Sequence, residues 1–177
     1  MNIKKILGII LILIVIALIG FYFYNNESGS YKNELFNSEI NPLNAVYEVE
    51  GGIFSIKGGV AEEKVNSMSR DAVEVKIFGQ PVFGDLNQDG NEEAAVIISY
   101  KNDRGEAFYV AAAVREKNDQ ETKGTNALVL GEGAMPKNIL IKEGKILVSY
   151  EVKTKDSSLV EIEGRFRLEG TELKPSN

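Results

Sequence analysis

This sequence predicts a mainly β protein: an antiparallel, sandwich-like exported domain preceded by one N-terminal transmembrane helix. Three observations predict it. Apolar and polar residues alternate with period two over most of the chain. Glycine-containing dipeptides punctuate that alternation at short intervals. A single uncharged apolar run stands at the N-terminus.

The run comes first. From Ile6 to Tyr24 there are 19 consecutive residues without a charge, mostly Ile, Leu and Val. That is close to the ~20 residues needed to cross a ~30 Å hydrocarbon core as a helix. Lys4 and Lys5 precede it and Phe21-Tyr22-Phe23-Tyr24 closes it. Basic residues tend to stay on the cytoplasmic side and amphipathic aromatics at the headgroup level. Residues 1–24 therefore read as an anchor in the lipid bilayer of the cell membrane, single-pass, with a cytoplasmic N-terminus and an extracytoplasmic C-terminal domain. A cleaved signal peptide is the rival reading. Its apolar region would be shorter, about 7–15 residues, and would end in an Ala-x-Ala-like site, which Ala17-Leu18-Ile19 does not provide. Ser28-Gly29-Ser30 would serve but lies well past the run.

Residues 25–44, polar and rich in Asn, Ser and Glu, read as a tether. Residues 45–177 then carry the β pattern. Val46 to Glu50 and Ile53 to Lys57 flank Gly51-Gly52, a two-residue hairpin signal. Ala61 to Asp71 reads as a turn of helix. Val73, Val75 and Ile77 alternate with Glu74 and Lys76, as in a strand with one wet face. Ala94 to Tyr100 and Ala107 to Val114 are apolar enough for central strands, and Glu116 to Gly124 reads as an exposed loop. Ile139 to Lys142 and Lys145 to Lys153 flank Glu143-Gly144, a second hairpin signal. In the last strand Val160, Ile162, Phe166 and Leu168 share one face, opposite Glu161, Glu163, Arg165 and Arg167. Gly164 between them suits a bulge or a close approach. Seven to nine strands are expected, with no internal repeat.

Composition narrows the chemistry. The 177 residues include no Cys, His or Trp. Disulfides, thiol nucleophiles, imidazole bases, Ser-His-Asp triads and thiolate or imidazole zinc sites are thereby excluded. No Ser-x-x-Lys occurs either. The pairs Glu62/Glu63 and Glu161/Glu163 are better explained as polar loop and wet strand face than as acid–base machinery. Setting aside the two lysines of residues 1–24 leaves 18 basic against 26 acidic residues, a net charge of −8. Such a surface argues against nucleic acid and is compatible with attracting cations.

One segment stands apart. In Asp85-Leu86-Asn87-Gln88-Asp89-Gly90-Asn91-Glu92-Glu93, oxygen-bearing side chains fall at alternate positions 1, 3, 5, 7 and 9, with Gly at position 6. Ca²⁺ takes six to eight oxygens at ~2.3–2.6 Å, and a tight loop with alternate residues turned inward supplies them. Asp85, Asn87 and Asp89 are the expected side-chain ligands. Asn91 would act through its backbone carbonyl, and Glu93 would close the site. A plain Asn/Asp/Gly turn is the competing reading, but a turn does not need acceptors at five alternating positions. The loop is not an EF-hand, because Val96 stands where position 12 requires Glu and the flanks read as strands.

Together with Phe83-Gly84 before it and Ala94-Ala95-Val96 after it, the segment resembles the aspartate-rich calcium loops of FG-GAP (integrin-like) repeats. From about Leu43 to Leu173 the chain resembles a group of small bacterial membrane-anchored envelope proteins of unknown function with a single such loop. The resemblance rests on that loop, on Ala107-Phe108-Tyr109-Val110, on Gly124-Thr125-Asn126-Ala127 leading to Leu130-Gly131, and on a closing hairpin. Two departures are Glu132-Gly133, where the group often has Asp-Arg, and Glu93, where Asp is commoner. The resemblance implies an envelope location and a calcium loop, and no activity. The expectation is a membrane-tethered, non-enzymatic calcium-binding module whose ion is mainly structural, presenting a surface to an envelope protein or polysaccharide. An assembly component of an envelope complex is the alternative. A carboxylate- or metal-dependent cell-wall hydrolase is a third, and a concave pocket with two converging acids would favour it.

Overall fold

The computed structural model describes residues 40–64, 72–115 and 121–176. The expected anchor at residues 1–24 and most of the tether lie outside them. Among the described residues no helix is long and apolar enough to cross a membrane.

The domain is antiparallel and mainly β, as expected, but with twelve strands among the described residues in place of seven to nine, several of them only two to four residues long. Strands β1 (Val46–Val49) and β2 (Gly52–Ser55) form a hairpin. Strands β3 (Val60–Lys64), β4 (Ala72–Gly84), β5 (Glu93–Asn102), β6 (Gly105–Val114) and β7 (Lys123–Gly124) follow one another across a six-stranded sheet, in which β8 (Leu128–Val129) also pairs with β6. Strands β9 (Met135–Lys142), β10 (Lys145–Lys153), β11 (Leu159–Glu169) and β12 (Glu172–Pro175) form a four-stranded meander.

The layering follows from the side-chain period of two. Ala94, Val96 and Ile98 of β5 pack with Tyr47, Val49, Phe54 and Ile56 of the β1–β2 layer. Their neighbours Ala95 and Ile97 pack on the other side with Ile146, Val148, Phe166 and Leu168 of the meander. The six-stranded sheet is thus covered on both faces. Antiparallel sheets commonly keep one face wet; here both are dry, which is why β5 and β6 read as unbroken apolar runs. Alanines at 94, 95, 111, 112 and 113, all buried, let the layers approach closely.

Several expectations shift. The first hairpin turns at Glu50-Gly51 (φ 51° and 73°), one residue earlier than Gly51-Gly52 suggested, since Val49 pairs with Gly52. Glu50 and Gly51 supply the two left-handed residues of a tight hairpin turn, and Gly52 then lies against the Phe54 ring, where a Cβ would meet it at 2.9 Å. Ala61 to Lys64 is strand, not helix, because it pairs with Ala72 to Val75 of β4; residues 65–71 lie outside the described ones. Among the described residues, packing already includes Ile40, before the anticipated boundary at residue 45. Ile40 is buried, and a 3₁₀ turn at Pro42–Asn44 brings the Pro42 carbonyl to the Tyr47 hydroxyl at 2.8 Å. Of the loop expected at Glu116 to Gly124, Lys123 and Gly124 are instead β7, and residues 116–120 lie outside the described ones. The Glu143-Gly144 turn stands as expected. Gly164 sits in unbroken register with Val148, so it serves close approach and not a bulge: a Cβ there would meet the Phe166 ring at 3.0 Å.

Candidate functional site

The acidic loop connects β4 to β5, at one end of the six-stranded sheet. Its conformation is written by its own side chains. Asp85 receives the Asp89 amide on one carboxylate oxygen (3.1 Å) and the Gly90 amide on the other (3.0 Å). The Asn87 side-chain oxygen also accepts from the Asp89 amide, at 2.9 Å, and Asp89 accepts from the Asn91 amide at 2.8 Å and the Asn91 side chain at 2.7 Å. Short polar side chains bond backbone amides two residues on, which is how Asx residues build turns. Gly90, at φ 85°, supplies the left-handed residue the reversal needs.

Two anchors hold the loop to the domain. Leu86, only 3% exposed, plugs the core between the two sheets. Glu93, also 3% exposed, turns its carboxylate back beneath the loop, and one oxygen accepts the amides of Leu86 (2.8 Å) and Asn87 (3.4 Å). Burial pushes the Glu93 carboxyl above the ordinary carboxylate range. The two amides oppose that shift, and the charges of Asp89 and Asp85 add to it. A third contact reaches the meander: the Gln88 side-chain amide approaches the Glu143 carbonyl at 3.5 Å and lies over Gly144, where a Cβ would meet it at 2.6 Å.

Of the five residues expected to bind calcium, Asp85, Asn87 and Asp89 are gathered on one turn, and Asn91 bonds Asp89 beside them. Glu93 faces the loop from inside as an anchor. Among the described residues no three Asp or Glu side chains converge as a ready-made metal cluster. The physical reason is that the carboxylate oxygens already accept the loop's amides. Carboxylate and amide oxygens carry two lone pairs each, so those of Asp85 and Asn87 retain acceptor capacity. The residues therefore fit an oxygen-loving cation in type and order. Part of the coordination would have to come from Asn91, water or a turned Glu93.

Of the two carboxylate pairs set aside at the sequence level, Glu62 and Glu63 stand on strand β3 and not in a polar loop. Glu161 and Glu163 lie on the exposed face of β11, Glu163 paired with Arg165 at 2.9 Å. Sequence reasoning missed two hydroxyl–carboxylate contacts: Tyr109 donates to Glu50, and the buried Ser99 donates to Glu106. Alternation placed Tyr109 in a strand, but nothing local pairs it with a turn residue 59 positions away.

Compared with protein-family models, with curated proteins and with solved structures, the chain matches none.

Proposed function

We propose that this is a membrane-tethered extracytoplasmic β module whose loop 85–93 binds Ca²⁺ as a mainly structural ion, and whose surface is presented to an envelope protein or polysaccharide. The FG-GAP-like order of ligands and the envelope location belong to the same reading, with residues 1–24 as its anchor. The observation that carries it is the Glu93 carboxylate: buried, held by backbone amides alone, and beside Asp85 and Asp89. The charges of Asp89 and Asp85 both disfavour an ionised Glu93, and a divalent cation bound by the loop would relieve that repulsion. The loop joins two central strands and touches the β9–β10 turn, so an ion there would tie the six-stranded sheet to the meander. A single extracellular calcium site of this kind binds weakly, on the order of 10⁻⁴–10⁻³ M.

The test is thermal unfolding of the full-length chain in detergent micelles with EGTA, then with millimolar Ca²⁺ or Mg²⁺. Ca²⁺ should raise the melting temperature, and Asp85→Ala combined with Asp89→Ala should abolish the rise. No shift at any concentration would make the loop an acidic turn. Membrane fractionation with alkaline carbonate tests the anchor, which predicts that the chain stays with the pellet.

The alternative, an assembly component of an envelope complex, draws on a different observation. At the turn end of the β10–β11 hairpin Leu159, Val160 and Ile162 are 55%, 44% and 36% exposed, the kind of apolar surface that marks a contact site.

A further inference from the structure

A recess of about 500 Å³ opens at the opposite end of β5 and β6 from the acidic loop. Its apolar lining comes from Val73 of β4, Ala107 of β6, and the rings of Tyr100 and Tyr109. These residues lie on the face of the six-stranded sheet that the β1–β2 hairpin covers, and Glu50 enters the lining from that hairpin's turn. The rings are fixed. Tyr100 meets Phe54 and Tyr109 edge-on, with centroids 6.1 Å apart in each case. Tyr109 is only 4% exposed, and its hydroxyl donates to one oxygen of Glu50. Burial, then the bond and charge of Glu50, push the Tyr109 phenol far above its ordinary range, so it remains a donor. A carboxylate on an exposed turn is thereby held against an aromatic wall with its second oxygen spare.

The charges beside it favour a cation. Asp103 and Arg104 of the β5–β6 turn also line the recess and offset one another. Glu106 is engaged by Ser99, whose position in the alternation puts it on the other face of the sheet. Among the described residues lining it, Glu50 is left as the uncompensated group of the recess, in a chain whose net charge is −6.

The geometry points to this recess as a binding site for an organic ammonium group, whether of a free amine or of a lysine side chain: Glu50 takes the charge, and Tyr100 and Tyr109 take the methylene stem and the cation's aromatic contact. Ammonium groups are attracted to tyrosine rings, and more strongly where water is excluded. A site of this size suits a small molecule or a single side chain. The inference uses no residue of the calcium loop and goes beyond the function proposed above.

Two-dimensional amide NMR of the full-length chain in micelles, with EGTA present throughout, tests it independently of calcium. Cadaverine should produce saturable shifts at the amides of Glu50, Tyr100 and Tyr109, and the neutral 1,5-pentanediol should not. Glu50→Gln should weaken cadaverine about tenfold, the scale of a hydrogen bond to a charged group, with the rest of the spectrum unchanged. Tyr109→Phe should weaken it less, because it only frees the carboxylate. If Glu50→Gln perturbs folding, Asp103→Asn at an exposed turn should still weaken binding by removing the neighbouring negative charge. A blocked Gly-Lys-Gly peptide distinguishes the sources: tighter binding than cadaverine assigns a lysine side chain, and weaker binding a free amine. Equal shifts with the diol, shifts that never saturate, or full affinity in a folded Glu50→Gln protein would each overturn the proposal.

Discussion

The six-stranded sheet and the four-stranded meander are built from the same antiparallel hairpins, yet they tolerate different sequences. Strand β5 is buried from Glu93 through Ser99 without a break, so both sets of alternate side chains meet a packed layer. Strand β11 is buried only at Phe166 and Leu168, and its opposite face carries Glu161, Glu163, Arg165 and Arg167 in water. The first must use small or well-fitted apolar residues, or polar ones with a bonded partner such as Glu93 and Ser99, at every position. The second needs them at every other position, and only where a neighbour covers them. Burial on one face or two is therefore a property of a strand's place in the layers and not of the strand itself.

Substitutions of matched glycines give the largest expected contrast. In Gly124→Ala the new Cβ would lie 2.4 Å from the Tyr47 ring and 2.6 Å from the Val46 carbonyl oxygen. Neither gives way easily, so chemical denaturation should show a loss of about 3 kcal/mol. Gly164→Ala in the meander meets the far edges of the Phe166 and Tyr150 rings at 3.0–3.3 Å and should cost about 1 kcal/mol. Equal losses would mean that the two layers are equally rigid.

Truncations extend the comparison. Ile98→Ala, at a fully buried position between β4 and β6, should cost about 2–5 kcal/mol. Ile162→Ala, at a residue 36% exposed beyond the covered part of β11, should cost below about 1 kcal/mol. A large effect at Ile162 in the full chain would show that something covers the overhang and would favour the assembly reading.

Calcium should act between these extremes. One-site linkage predicts about 2.7 kcal/mol of stabilisation at one hundred times the dissociation constant. Because Gln88 of the loop reaches Glu143 and Gly144 of the meander, the ion should protect amides in β9 and β10 from hydrogen exchange as well as those in β4 and β5. Protection confined to the loop would limit the ion to a local role.

The smallest expected effect is alkaline. Burial pushes the Tyr47 phenol far above its ordinary range, and Tyr109 likewise. Above pH about 10 unfolded tyrosines release protons that the folded ones keep. The unfolded state then binds fewer protons, so stability falls as pH rises through that point. Tyr47→Phe should flatten that fall. At neutral pH it should cost about 1 kcal/mol, for the lost bond to the Pro42 carbonyl.

Much of this was readable in the chain itself. Alternation and turn dipeptides locate β4, β5, β6, β10 and β11, because side-chain period and glycine's left-handed tolerance are local properties. The acidic loop was readable for the same reason, its residue order being visible whatever surrounds it. Glu50-Gly51 and Gly51-Gly52 both offer a two-residue turn, and only the pairing of Val49 with Gly52 decides between them. Nothing local makes Ala61 to Lys64 a strand, since what makes it one is its pairing with Ala72 to Val75 of β4. In residues 40–176, composition and pattern determined an antiparallel β fold and a set of oxygen-bearing side chains at alternate positions of one loop. The tertiary structure decided that one sheet is dry on both faces, that Glu93 anchors the loop from beneath, and that Tyr109 holds Glu50 against a recess. Those are facts of distance between residues far apart in the chain, and sequence periodicity carries no record of them.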